Sequence, residues 1–303
     1  MFNYDGLNNI LKNRHIGKTI LSKELGLSTR TIAKIKKGEK LSKASLQKIA
    51  DYLGVSISSL YKEISDNKLL QILRDEKEAH ISGGFYHELQ VRMTYNSNHI
   101  EGSKLAEEQT RLIFETNTIG ENYTGSVDDI LETVHHFKAI DYVIDIAEET
   151  LTEEIIKKLH YLLKHDTKDA DISWFAIGDY KKRANVVGGK ETTKPENVSK
   201  EIQELLKTYN NLDIVNIEDI VGFHARFEQI HPFQDGNGRV GRLIALKECL
   251  KNNIVPFIIE DEKKYYYYRG ISNWNNEKGW LNDTCLDGQD SVKNILDMLG
   301  IKY

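Results

Sequence analysis

The sequence predicts a mainly all-α protein in two parts, a small helical head and a larger helical body that carries one short β-hairpin. Three observations predict it. Only three prolines in 303 residues leave few obligatory breaks in helices. Apolar residues recur at three- and four-residue spacings through most of the chain, the period of one helix face. Charge is divided unevenly: residues 1–65 hold twelve Lys or Arg against five Asp or Glu, a net +7, which leaves −12 for the rest of a chain whose total is −5. The length exceeds what one core of typical size needs. A hydrophobic share of 40% and a charged share of 29% exclude a disordered chain and a fibrous repeat. The two cysteines, Cys249 and Cys285, offer neither a disulfide framework nor zinc spacing, so a reducing compartment is expected. The first residues lack a basic start followed by an apolar run, and no window nears eighteen uninterrupted apolar residues. The expectation is a cytoplasmic protein with no membrane partner.

Within the head, Gly26, Gly38 and Gly54 each follow a periodic stretch, as helix-ending glycines do. Ser28 precedes a run in which Ile32 and Ile35 share a face, and Ser42 opens another in which Leu46, Ile49, Ala50 and Leu53 form a stripe for burial. The stretch TILSKELGLSTRTIAKIKKGEKLSKASLQKIADYLGVSISSLYK resembles a helix-turn-helix of the Cro-repressor type. The resemblance implies a first helix over 19–25, a turn at Gly26 and a recognition helix over 28–36. Ser22 and Lys36 depart from the Ala and Glu usual there, and Lys36 adds charge of the sign that DNA attracts. Thr29, Arg30 and Lys34 would face base edges, while Lys36 and Lys37 would meet phosphates. A homodimer is expected for specific DNA binding. The alternative is a helical interaction module that kept the fold without the nucleic acid.

From Ser65 to Gly84 the chain is polar with helix-spaced leucines, which suits a connecting helix. Periodic segments then cover 88–96, 106–115, 127–148, 153–164 and 198–209. The strand signal is ANVVGGK at 184–190, with Gly188-Gly189 as its turn.

Chemistry concentrates in HPFQDGNGRVGR at 231–242. Ile220, His224, Phe227 and His231 repeat at helical spacing, so a helix delivers His231 at its end, and Pro232 stops that helix. Gly236-Asn237-Gly238 then turns the chain into a second helix, with amides open to close approach; a glycine turn at a helix amino end is an anion cradle. Arg239 and Arg242 leave one side of that helix. Asp235 is the single nearby carboxylate, and one or two carboxylates with phosphate oxygens and water suit magnesium. A base, an anion cradle, a metal ligand and two arginines together describe phosphoryl or nucleotidyl transfer.

The same residues match the Fic motif HPFxDGNGRxxR at every defining position, and LTEEIIKKLHYLL (151–163), IGDYKKRANVVGGK (177–190) and FHARFEQI (223–230) also resemble a Fic body. The division is then a helix-turn-helix domain over 1–65, a connector over 66–84, a Fic domain over 85–258 and a helical extension over 259–303. The resemblance implies that His231 is the general base, that Asp235 binds Mg2+, and that Gly236, Asn237 and Gly238 hold the α-phosphate of ATP. Arg239 would steady the phosphates, Arg242 would hold the γ-phosphate, and Phe233 would fix the loop from the core. Val186, Val187, Gly188 and Gly189 would form the flap that aligns a target segment by strand addition. The GNGR form resembles AMP-transferring members rather than the kinase-like branch. The implied reaction moves AMP from ATP to a Tyr, Thr or Ser hydroxyl of a target protein, and whether the chain also labels itself stays open.

Upstream, Ser97-Asn98-His99-Ile100-Glu101-Gly102 resembles the inhibitory signature of Fic proteins, Ser or Thr, three residues, then Glu-Gly. By that resemblance Glu101 pairs with Arg242 in place of the γ-phosphate, with Gly102 completing the signature, and Ser97, one helical turn earlier, would anchor the helix against the core. In relatives the same glutamate also helps remove AMP, so a reversible enzyme stays open. His160, His224 and the His135-His136 pair read as packing residues. Tyr265 to Tyr268 read either as an adenine-stacking wall or as a core or surface cluster. The rival from another class is a DNA-binding transcriptional regulator that uses the Fic body as a nucleotide sensor.

Overall fold

The computed structural model of the chain describes residues 2–63, 67–121 and 123–303, and fourteen helices account for most of them. Two compact units emerge, Met1–Gln71 and Ile72–Tyr303. The boundary expected at 65/66 lies outside the described residues.

The first unit runs β1 (Phe2–Asn3), α1 (Asp5–Asn13), α2 (Lys18–Leu25), α3 (Thr29–Lys37), α4 (Lys43–Leu53) and β2 (Lys62–Glu63). Its helix ends follow the punctuation in the sequence. The hydroxyls of Ser28 and Ser42 accept from the amides of Thr31 and Ser45 at 3.1 and 3.2 Å, satisfying amides that the helices leave unpaired. Gly26, Gly38 and Gly54 sit at φ +60, +64 and +60°, the left-handed conformation that closes a helix without strain only at glycine. Leu7, Leu21, Ile35, Ile49, Leu53 and Leu60 meet in one core. Ser22, where the resembled family places Ala, donates to the Leu27 carbonyl at 2.7 Å and so pins the turn. The antiparallel pair β1–β2, with Phe2 opposite Glu63, was not expected. Two-residue strands carry no periodicity from which to infer them.

The boundary between the units falls within α5 (Lys68–Ala79), and the second unit continues with α6 (Phe85–Ile100), α7 (Glu107–Thr116), α8 (Val127–Asp145), α9 (Glu153–Lys164), the hairpin β3 (Val186–Val187) and β4 (Lys190–Glu191), α10 (Pro195–Asn210), α11 (Ile217–Ile230), α12 (Asn237–Lys251), α13 (Lys264–Asn273) and α14 (Gly279–Met298). Side chains of Ser126, Thr152 and Asn216 cap α8, α9 and α11. Nearly every residue of α12 is buried, from Asn237 to Leu250. A helix enclosed on all sides needs partners for its polar groups, and α12 finds them for Lys247 and Glu248, while Arg239 Nε is left without one. Fully buried Lys247 donates to the Glu149 carbonyl at 2.6 Å and to Glu248 at 2.8 Å, and Tyr209 donates to Glu248 at 3.1 Å. Helices α6, α8, α9 and α11 pack around α12, so its amino end becomes the meeting point of the body. Among the described residues, no helix is long and apolar enough to cross a membrane.

Candidate active site

α11 stops at His231, which takes the left-handed conformation at φ +52° and donates its amide to the Phe227 carbonyl at 2.9 Å. A non-glycine residue in that region is uncommon, and Pro232 removes the option of continuing the helix. Phe233 is fully buried and stacks on His160, centroids 4.0 Å apart and planes 7° from parallel. The loop is then laced by Asn237, whose side-chain oxygen accepts from the Phe233 amide at 2.8 Å while its nitrogen donates to the Phe233 carbonyl at 2.9 Å. The acceptor and one donor of that amide are thus committed to the loop, which leaves one side-chain N–H beside the backbone donors at this turn. Gly236 caps α12 at φ +78° with no side-chain cap, so the first-turn amides carry the positive end of the helix dipole without a protein acceptor from the cap.

His231 Nδ1 lies 3.4 Å from the Glu228 carbonyl, which favours a proton on Nδ1 and leaves Nε2 as the acceptor. Burial, with the nearby Lys181 ammonium, pushes His231 down to about 4, so the imidazole is neutral at pH 7. Lys181 also joins the hairpin to the loop. Its Nζ donates to Asn185 at 2.8 Å, to Thr192 at 2.7 Å and to the Ile230 carbonyl at 3.4 Å, and its amide donates to the Pro232 carbonyl at 2.9 Å. Val186 and Val187 stand exposed on that hairpin, with Gly188 and Gly189 at its turn at φ +58 and +77°.

The two arginines of α12 reach different partners. Arg239, buried, pairs with Glu132 of α8 and lies 3.3 Å from Asp235. Asp235 Oδ2 also accepts from Lys164 at 2.8 Å. Burial alone would raise Asp235, but the Arg239 guanidinium and the Lys164 ammonium hold it well below the usual carboxylate range. Its side chain is 51% exposed, so one face of this ionised carboxylate remains open to a cation. That fits magnesium completed by phosphate oxygens and water.

Arg242 is held from α6. Its Nε donates to Ser97 Oγ at 2.9 Å, and its Nη2 donates to the Ser97 carbonyl at 2.9 Å and to Glu101 Oε1 at 2.7 Å. Its Nη1 donates to the buried Tyr267 hydroxyl at 3.3 Å, and that hydroxyl lies 2.8 Å from His224 Nε2. The Glu101 carboxylate rests against Gly238, where a Cβ would strike it and come within 2.9 Å of Arg242 Nη1. Gly102, at φ +103°, turns the chain away after Glu101. Beside the loop, a cavity of about 450 Å3 is lined by Val187, Thr192, Glu228, Gln229, Ile271, Ser272 and Asn275, among others.

The fold therefore brings His231, Asp235, Gly236, Asn237, Gly238, Arg239 and Arg242 to one place, with Ser97 and Glu101 arriving from α6. Of the four tyrosines, Tyr267 belongs to the core, Tyr265 is 72% exposed, and Tyr268 donates to the Ile100 carbonyl at 3.4 Å, so they form no single stacking wall. In the first unit Thr29, Arg30, Lys36 and Lys37 are exposed on α3, and Lys34 is half-buried. Sequence reasoning missed Glu132, Lys164 and Lys181. The signal for two of them was a charge on an otherwise apolar helix face, which becomes informative only when its neighbours are known. It also passed over Glu228, whose Oε1 lacks a hydrogen-bond partner and whose burial pushes it up to about 8.

Residues 150–249 match the Fic/DOC family, and residues 6–66 match the Cro/C1-type HTH DNA-binding domain. The chain is similar to the protein adenylyltransferase Fic of Drosophila yakuba, 25% identical over 228 residues, and to that of Drosophila erecta, 24% identical over 189 residues. These matches cover 69% and 59% of this chain but only 44% and 36% of those relatives. Among solved structures, a Fic domain containing signaling protein from Bacteroides thetaiotaomicron shares the fold with a TM-score of 0.62 at 24% identity, covering 77% of this chain and 92% of that one. Fic-1 from C. elegans does so with a TM-score of 0.61 at 17% identity, covering 98% and 96%. The chain thus carries a Fic/DOC-family domain behind an amino-terminal helix-turn-helix domain of the Cro/C1 type.

Proposed function

We propose that the body is a protein adenylyltransferase held in check by its own Glu101. The observation that carries this reading is the neutral, oriented imidazole of His231 beside an uncapped helix end flanked by two buried arginines. In the reaction, a Tyr, Thr or Ser hydroxyl of a target protein attacks the α-phosphorus of ATP. His231 Nε2 takes the hydroxyl proton, the new O–P bond forms, and the bond to the bridging oxygen breaks to release pyrophosphate. The amides opening α12 receive the α-phosphate, and Arg239 and Arg242 offset charge on the rest of the triphosphate. Asp235 would hold magnesium, which would supply positive charge to offset that of the phosphates. The cavity beside Val187 and Ile271 offers room for the nucleoside, and the exposed hairpin offers the target a strand edge. Glu101 enters this scheme as a carboxylate on the arginine that a γ-phosphate needs.

ATP carrying label on the α-phosphate tests it, with cell extract as the source of targets. Glu101→Gly should raise protein labelling about 5–150-fold, the range of a coupling of about 1–3 kcal/mol. Adding His231→Ala should return it to background. No labelling by Glu101→Gly would leave the nucleotide-sensor reading in its place.

For the first unit we propose DNA binding, supported by its basic charge and by the exposed Arg30, Lys36 and Lys37 on α3. Gel-shift affinity should fall with rising salt, and Arg30→Ala should weaken it. Association that ignores salt would assign this unit to protein partners instead.

A further inference from the structure

Lys164 closes α9 as a buried ammonium, its side chain 3% exposed, among three carboxylates. Its Nζ lies 2.6 Å from Glu132, 2.6 Å from Asp169 and 2.8 Å from Asp235. Oxygens of those three acids come within 4.8 Å of one another, close enough to share one divalent cation among oxygen ligands. The ammonium stands at their common centre. With Lys164 and Arg239 present, three negative charges face two positive ones, so the group is one charge short of neutral. A divalent ion entering alone would turn that deficit into an excess of positive charge beside the buried Lys164 and Arg239 cations, whose repulsion opposes it. A polyphosphate supplies the missing negative charge.

We propose that Lys164 fills, with its own charge, a nest that would otherwise bind a metal ion, and so makes divalent-cation binding at Asp235 dependent on nucleotide. The proposal rests on the reading of Asp235 as the metal carboxylate. It makes Lys164 a positioning residue: it holds Asp235 Oδ2 together with Arg239 and leaves the exposed face of the carboxylate for the incoming ion. Glu132 and Asp169 then serve to fix Lys164 rather than to ligate.

Mn2+ titration followed by electron paramagnetic resonance tests this on the full chain. The wild-type protein should bind Mn2+ only when a non-hydrolysable ATP analogue is present, in the native background and in Glu101→Gly. Lys164→Met should gain a nucleotide-independent Mn2+ site, at least roughly tenfold tighter than any in the wild type, as expected when ligand charge is uncovered. Mn2+ should raise the melting temperature of that variant, and adding Asp169→Asn should remove the site. Lys164→Arg, which keeps the charge, should exclude free Mn2+ as the wild type does. A Lys164→Met curve that superimposes on the wild type overturns the proposal. So does wild-type protein that holds Mn2+ equally well without nucleotide, a result that stands even where Lys164→Met fails to fold. Failure of the adenylyltransferase reading would show separately, as absent labelling by Glu101→Gly whatever Mn2+ does.

Discussion

Arg239 and Arg242 stand three residues apart on one buried helix, yet they are held in opposite ways. Arg239 is gripped by Glu132 and Asp235, and through them by Lys164 and Asp169, all but Asp235 buried or half-buried. That cluster draws on α8, α9 and the catalytic loop itself, so it cannot open without disturbing the fold. Arg242 is different: the Ser97 and Tyr267 groups hold its Nε, its Nη1 and part of its Nη2 irrespective of Glu101. Glu101, at the end of α6 and 28% exposed, is an added ligand on an arginine that is already fixed. One side of the loop at 231–238 is architecture, and on the other side Arg242 keeps its place without Glu101.

Breaking the fixed side should cost the most. Glu132→Gln takes the nearer of two carboxylates from a buried guanidinium and one of three from buried Lys164, and breaking a buried pair costs about 3–5 kcal/mol. Urea unfolding of the body should show a loss of that size for Glu132→Gln. Glu101→Gln should lose less, because its amide oxygen can still accept from Arg242, which keeps its other partners. Equal losses at the two positions would erase the distinction between the arms.

Acid strains both arms, and its effect should be next in size. Burial pushes His160 and His224 down to about 3 and His231 to about 4, and holds His136 well below its ordinary value. Below pH 6.5 the unfolded chain takes up protons that these buried rings refuse. Stability is therefore lost as pH falls from about 6.5 toward 4, by about 1.4 kcal/mol per pH unit for each ring. Glu228, pushed up to about 8 by burial, works the other way, since the folded form keeps its proton as pH falls from 8 toward the usual carboxylate range. It offsets one histidine, and a net fall remains. Urea unfolding at pH 7 and pH 5.5 should show it; a stability that is level or rising across that interval would mean that these rings accept protons in the folded state.

Much of this was legible in the sequence, for reasons that particular residues make plain. Ser28, Ser42, Gly26 and Gly38 mark helix ends through local backbone chemistry, so α3 and α4 fall where expected. The HPFQDGNGRVGR stretch places base, turn and arginines within twelve consecutive residues, so its geometry follows from local helix rules. Asn237 shows where this stops. Its residue type suits phosphate, but its amide closes the loop onto Phe233, a pairing that spacing alone does not reveal. Glu132 and Lys164 lie 107 and 75 residues before Arg239. No local rule joins them, because their pairing depends on how α8 and α9 cross α12.

The smallest effect sharpens the Arg242 side. The end of α6 that carries Glu101 is tied to the segment following α12. The Asp261 amide donates to Asn96 at 2.9 Å, His99 Nδ1 lies 2.9 Å from Asp261 Oδ2, and Tyr268 donates to the Ile100 carbonyl. These contacts bracket Glu101 without touching the loop at 231–238. Asp261→Ala removes the carboxylate from His99 and keeps the backbone contact to Asn96, so α6 should remain folded with a looser final turn. Glu101 would then occupy Arg242 less fully, and labelling should rise about fivefold or less, the low end of allosteric couplings. The same substitution should change nothing in Glu101→Gly, where no carboxylate is left to release. A rise in both backgrounds would mean that Asp261 acts on the catalytic loop by another route, and the partition between the Arg239 and Arg242 arms would have to be redrawn.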